Sequence, residues 1–221
     1  MFPSRCLCVA LVLLCGHFAT AQTVVQSIFL NRFPDANAAN YDDPSNWSPA
    51  EVPNNSALKN YNVLINVGFP VEANADATIS YLVVSGSVAG LNVRGKTLVV
   101  TGTTTNGIES GSIDIESSAT AAAKFDAGML TTFSNKTLTG YYIISSGGSP
   151  ATLQFRGADI SRLSNAHLGL YGPLAQIVDE SGNDALRNLA RLEGGTLGII
   201  DHSLVTNAPF WNEGDLMVTQ Y

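Results

Sequence analysis

The sequence predicts an all-β chain: a parallel β-helix, or β-solenoid, behind an irregular N-terminal cap. Three observations predict it. Short apolar–polar runs of period two recur from Tyr61 onward, clusters of Gly, Asn and Ser separate them, and no run of helical period exceeds two or three turns. A β-sandwich is the alternative, since it too is built from short strands and turns. Sandwich strands are usually longer and joined by hairpins, and the one near hairpin signal here is Asn106-Gly107.

Residues 1–21 stand apart from that architecture. Arg5 precedes an apolar run from Cys6 to Cys15, and Ala19-Thr20-Ala21 forms an A-x-A cleavage site before Gln22. This is the anatomy of a secretory signal peptide, and the apolar run is shorter than a membrane span requires. The expected location is therefore secreted, extracellular or at the cell surface. All three cysteines, Cys6, Cys8 and Cys15, lie in this segment. The mature chain would have no disulfide, no thiolate metal site and no cysteine nucleophile.

Residues 22–60 read as the irregular cap. Seven Asn and the prolines Pro34, Pro44, Pro49 and Pro53 are turn formers. Phe29, Phe33, Tyr41 and Trp47 supply apolar bulk to plug one end of a core. From residue 61 to 221 the solenoid is expected. Its strand runs are 61–67, 78–84, 97–100, 112–115, 130–133, 152–155, 167–170, 196–199 and 215–218. The anchors Leu82, Leu98, Ile113, Leu130, Leu153, Leu168, Leu197 and Leu216 are spaced 15 to 29 residues apart. Stacked rungs would bring them into one internal apolar column. A single short helix is expected at residues 185–192, capped by Asn183 or Asp184 and closed by Gly194-Gly195. The run at 215–218 lacks a following cap, so the chain is expected to continue past Tyr221 or to self-associate through an open C-terminal end.

Composition narrows the function. Charged residues are 13% of the chain, against roughly 25% in ordinary domains, and 20 Gly, 20 Ser, 18 Asn and 17 Thr replace them. The apolar fraction of 45% supports a core. The formal charge of −7 becomes −8 without Arg5, which argues against nucleic acid as a partner. No stretch after residue 21 is apolar enough to span a bilayer.

The ladder GADISRLSNAHLGLYGPLAQIVDESGNDALRNLARLEGGTLGI at 157–199 resembles the repetitive β-helical regions of secreted bacterial proteins, including autotransporter-passenger-like and adhesin-like surface proteins. The opening DDPSNWSPAEVP, followed by YNVLINVGFPV, is similar to the start of many such modules and of the G8 domain, without that domain's full glycine pattern. The resemblance implies extracellular adhesion, matrix or carbohydrate contact. It carries no catalytic residue to transfer.

Chemistry-bearing residues are few. His167 lies in AHLGL on the face opposite Leu168 and Leu170. Asp201-His202-Ser203 contains the triad residue types, but adjacent residues cannot adopt triad geometry. Asp114 and Glu116 alternate with Ile113 and Ile115 and would share an outward face, where like charges could raise one pKa for acid–base work. A solvated strand face is the simpler reading. The polar run at 179–184 could offer oxygens to calcium, but it lacks the EF-hand order and reads as a turn capping the helix. Asn46, Asn54 and Asn135 begin N-glycosylation sequons.

The expected function is a secreted, non-enzymatic β-solenoid of a cell surface or matrix, adhesive or structural, with no catalytic, cofactor or metal residue assigned. Its expected partners are extracellular polysaccharide or cell-surface components. Two alternatives remain: a carbohydrate-binding module using Trp47, Tyr41 and Trp211, and a β-helical polysaccharide lyase or hydrolase using Asp114 and Glu116.

Overall fold

The computed structural model describes residues 22–30, 39–86, 89–106 and 111–220. The signal-peptide assignment at 1–21, Phe33 and the hairpin signal at Gly107 lie outside the described residues. In chain order the strands are β1 (Thr23–Phe29), β2 (Ala39–Asn40), β3 (Trp47–Ser48), β4 (Lys59–Ile65), β5 (Pro70–Ala73), β6 (Ala77–Ile79), β7 (Tyr81–Val84), β8 (Gly90–Arg94), β9 (Thr97–Asn106) and β10 (Ser112–Glu116). They continue as β11 (Ala123–Leu130), β12 (Phe133–Ser134), β13 (Thr137–Ser145), β14 (Ala151–Phe155), β15 (Arg162–Tyr171), β16 (Ala175–Val178), β17 (Arg191–Ile200), β18 (Trp211–Asn212) and β19 (Asp215–Thr219).

Two long, mostly parallel sheets share these strands. Sheet A runs β16-β14-β11-β9-β7-β4-β1-β3, with β6 beside β9. Sheet B runs β18-β17-β15-β13-β10-β8-β5-β2, with β12 on β13 and β19 on β17. The chain passes from one sheet to the other and back, so each coil adds one rung to both. This is the solenoid, and the parallel ladders exclude the antiparallel sandwich.

Alternation explains the core. In β10, Ile113 and Ile115 are fully buried, while Ser112, Asp114 and Glu116 point outward. Register then stacks the inward residues. Sheet B carries Leu91, Ile113, Tyr142, Leu168 and Leu197 in one row. Sheet A carries Ala77, Leu98, Phe125, Leu153 and Ile177 in another. The predicted anchors therefore do not form one column. Leu98 and Leu153 belong to sheet A, and Ile113 and Leu197 to sheet B. The single period inferred from the sequence merged two faces; one coil takes 22, 29, 26 and 29 residues between successive sheet B positions.

Corners need small residues. A Cβ on Gly128 would lie 2.4 Å from the Thr101 carbonyl oxygen, where β9 and β11 bend together. Gly195, at φ +74, would place a Cβ 2.1 Å from the Ala166 oxygen. Only glycine fits there, at the bulge where β17 follows the irregularity of β13 and β15.

The N-terminal segment departs from the expected irregular cap. β1 is a true rung, parallel to β4 from Thr23↔Lys59 to Ile28↔Leu64. Beyond it the aromatic plug closes the core. Trp47 is 1% exposed and meets Phe29 and Tyr41 edge-on at 4.8 and 4.9 Å. Its indole N–H donates to the Tyr41 carbonyl at 2.7 Å, and the Tyr41 hydroxyl donates to the Pro53 carbonyl at 2.9 Å.

Two further expectations change. Residues 185–192 form no helix. The Leu186 N–H donates to Asp184 Oδ1, Leu189 N–H donates to the Leu186 carbonyl, and Arg191 and Leu192 already belong to β17. Ladder pairing with β15 outweighs local helix preference there. The run 130–133 is not a strand of its own: Leu130 ends β11, Thr131 and Thr132 turn, and Phe133 opens β12. At the far end, residues 201–210 form no strand and do not join sheet A, and Leu204 and Phe210 rest on the core. No helix among the described residues is long and apolar enough to cross a membrane.

Candidate functional site

The outer face of sheet B gathers Asp114, Glu116 and His167. Register fixes which outward side chains meet. One row reads Glu72, Asn92, Asp114, Ile143, Gly169, Gly198 and Met217 across successive rungs. A flanking row contains Tyr141, His167, Thr196 and Asp215, and the row on the other side contains Arg94, Glu116, Ser145, Tyr171 and Ile200.

The acidic end of this face is organised by Arg94. Its Nε lies 2.8 Å from Glu116 Oε2 and 3.3 Å from Glu72 Oε2. Asn92 Nδ2 donates to Glu72 Oε1 at 3.0 Å. Asp114 is half-buried between these rungs and is not the freely solvated group the sequence suggests. Its Oδ1 is buried and has no hydrogen-bond partner among the described residues. Burial pushes its carboxyl up to about 6, helped by Glu72 and Glu116 and opposed by the Ser112 hydroxyl and Arg94. Of the pair expected from sequence, Glu116 is held by Arg94, and Asp114 is the more buried member.

Aromatic groups follow on the next rungs. The rings of Tyr141 and His167 are partners in register and stack at 4.2 Å with 7° between planes. Burial raises the Tyr141 phenol, with added repulsion from Asp114 and Tyr171, and burial lowers the His167 imidazole. Asp114 and Tyr171 thus each lie within electrostatic reach of the Tyr141 hydroxyl. The face can donate and accept hydrogen bonds through a carboxyl, two phenols and an imidazole. Compared with protein-family models, with curated proteins and with solved structures, the chain matches none.

Other predicted residues lie elsewhere. Tyr41 and Trp47 are buried in the plug and offer no face to a sugar. Trp211, on β18, is 62% exposed and stacks on no other ring among the described residues. His202 Nδ1 lies 3.2 Å from the Gly172 carbonyl oxygen, beside a cavity of about 300 Å³ between β16 and residues 202–204. In the polar run, Asp179 Oδ1 accepts the Ser181 and Asn183 N–H groups at 2.9 Å, and Glu180 accepts the Gly157 N–H at 2.6 Å. Their oxygens serve the turn. Asn46 is buried and donates to the Asn40 carbonyl at 2.8 Å, so that sequon is closed to glycan attachment in the folded chain. Sequence reasoning missed Tyr141, Tyr171, Glu72 and Arg94. The alternation in HLGLY held the signal for Tyr171, which must face outward once Leu168 and Leu170 face inward.

Proposed function

We propose that this chain is a secreted, non-enzymatic β-solenoid of a cell surface or extracellular matrix, and that it works by adhesion through the outer face of sheet B. The observation that carries the reading is the registered row of polar and aromatic side chains on that face. A solenoid holds such a row rigidly, because each rung is hydrogen-bonded to both neighbours and little ordering is left to occur on contact. One guanidinium on that face, that of Arg94, ties down both Glu72 and Glu116. The partners that suit it are extracellular polysaccharide and other cell-surface components.

The test is adhesion of residues 22–221 to matrix-coated and cell surfaces, with soluble protein as competitor. Saturable, competed adhesion without release of sugar products supports the reading; absence of adhesion sinks it. Hydrolase or lyase chemistry is a second reading, favoured by one observation, the raised carboxyl of Asp114. Turnover of uronate or neutral polysaccharides that disappears in Asp114→Ala would replace the adhesive reading with the enzymatic one.

A further inference from the structure

We infer that Tyr171, seated on Gly169 and Gly198, is a platform for a pyranose unit of a neutral polysaccharide, with Tyr141, His167 and Asp114 as its polar surround. The inference rests on the adhesive reading above and names the ligand class for the same face.

The two glycines motivate it. Gly169 and Gly198 are register partners in the interiors of β15 and β17. Neither has the left-handed backbone that would call for glycine. Glycine in a strand interior weakens the strand and often marks a close approach. Here the approach is a ring. A Cβ on Gly169 would lie 2.7 Å from both Cζ and Oη of Tyr171, and one on Gly198 would lie 3.4 Å from Cε1 and Oη. The phenol end of Tyr171 thus folds back along its own strand and rests over two rungs.

The surroundings indicate what such a ring would hold. A pyranose presents a C–H face, which suits an aromatic ring, and a rim of hydroxyls, which need donors and acceptors. Tyr141 and His167 brace each other by stacking, so their polar edges are held in place. Asp114 contributes a half-buried carboxyl on the same outward face, two rungs from Gly169 in register, and a carboxyl so placed can accept from a sugar hydroxyl. Three carboxylates, Glu72, Asp114 and Glu116, against the single Arg94 disfavour a polyuronate and select an uncharged chain.

Covering glycines is by itself a structural use of an aromatic side chain, and the experiment separates the two roles. Binding of residues 22–221 to neutral glucans, mannans and galactans, with polygalacturonate as the charged comparison, is measured by affinity electrophoresis and calorimetry. Melting of each variant is followed in parallel. Gly169→Ala is the key variant: its methyl displaces the far end of a flexible side chain, so the fold stays while the ring lifts off its seat. The expected result is retention by at least one neutral glycan, weakened about tenfold or more in both Gly169→Ala and Tyr171→Ala, and less in Tyr171→Phe. Gly169→Ala should melt no lower than wild type. Full binding in Gly169→Ala and Tyr171→Ala overturns the proposal. So does adhesion that persists with no neutral glycan retained, which would leave the adhesive reading standing; loss of adhesion altogether would remove both.

Discussion

Asp114 shows how a residue's meaning changes with its neighbours. On an isolated strand it would be one more outward acid. Between Asn92 and Ile143, with Oδ1 shut away from water, its carboxyl rises from the ordinary 3.8 to about 6. The sign follows directly. The folded protein holds the proton more tightly than the unfolded chain, so this residue's contribution is fully present below pH 3.8 and is lost as pH rises through about 6. The loss amounts to about 3 kcal/mol at neutral pH. Asp114→Asn, neutral and nearly isosteric, should match wild-type melting near pH 4 and exceed it above pH 6. Thermal melts across that range check the prediction; equal melting of the two proteins at pH 7.5 would contradict it.

Strand β13 displays the same logic over a whole element. Its inward residues are Leu138, Gly140, Tyr142 and Ile144, but the outward Tyr141 and Ile143 are also apolar, so the period of two is hidden in TLTGYYIIS. This is why the sequence reading passed over a nine-residue strand. Tyr142 is fully buried, yet its hydroxyl is satisfied. It donates to Asn106 Oδ1 at 3.0 Å and is hydrogen-bonded to Thr132 Oγ1, and burial pushes its phenol up to about 12. Tyr142→Phe keeps the ring but removes both bonds of its hydroxyl, leaving Thr132 Oγ1 to donate to Asn106 Oδ1 at 3.2 Å, and should cost about 0.5–1.5 kcal/mol. Chemical denaturation reads this directly, and an unchanged midpoint would mean the network adds nothing net. β17 illustrates the converse. A stretch with local helical preference at 185–192 gives its last two residues to the sheet, because β15 offers a ready-made ladder from Arg162↔Arg191 to Tyr171↔Ile200.

The whole molecule is a stack with two unequal ends. At one end Phe29, Tyr41 and Trp47 plug the core and are all buried. At the other, β19 lies on β17 with Met217 and Val218 55% and 65% exposed, beside an apolar cavity of about 250 Å³ lined in part by Leu197, Ile199, Phe210 and Leu216. Exposed apolar strands with free backbone groups pair with other strands. Residues 22–221 should therefore self-associate with rising concentration, and Met217→Lys with Val218→Lys should reduce the association. Sedimentation equilibrium decides it: a monomer at all concentrations, with β19 amides strongly protected from hydrogen exchange, would contradict the expectation.

Within this molecule the sequence alone determined which way side chains face. Alternation places Ile113 and Ile115 inward and Asp114 outward, Leu168 and Leu170 inward and His167 and Tyr171 outward, because successive residues of any strand take opposite sides. The absence of cysteine beyond residue 21 and the crowding of turn residues were equally plain from composition. Only the tertiary structure decided that the strands divide between two sheets, and so which outward groups meet. Asp114, Tyr141 and Tyr171 lie 27 and 30 residues apart along the chain and are brought onto one outer face, on three successive rungs, by register. That register comes from backbone hydrogen bonds between coils of unequal length, and no local pattern in the sequence encodes it.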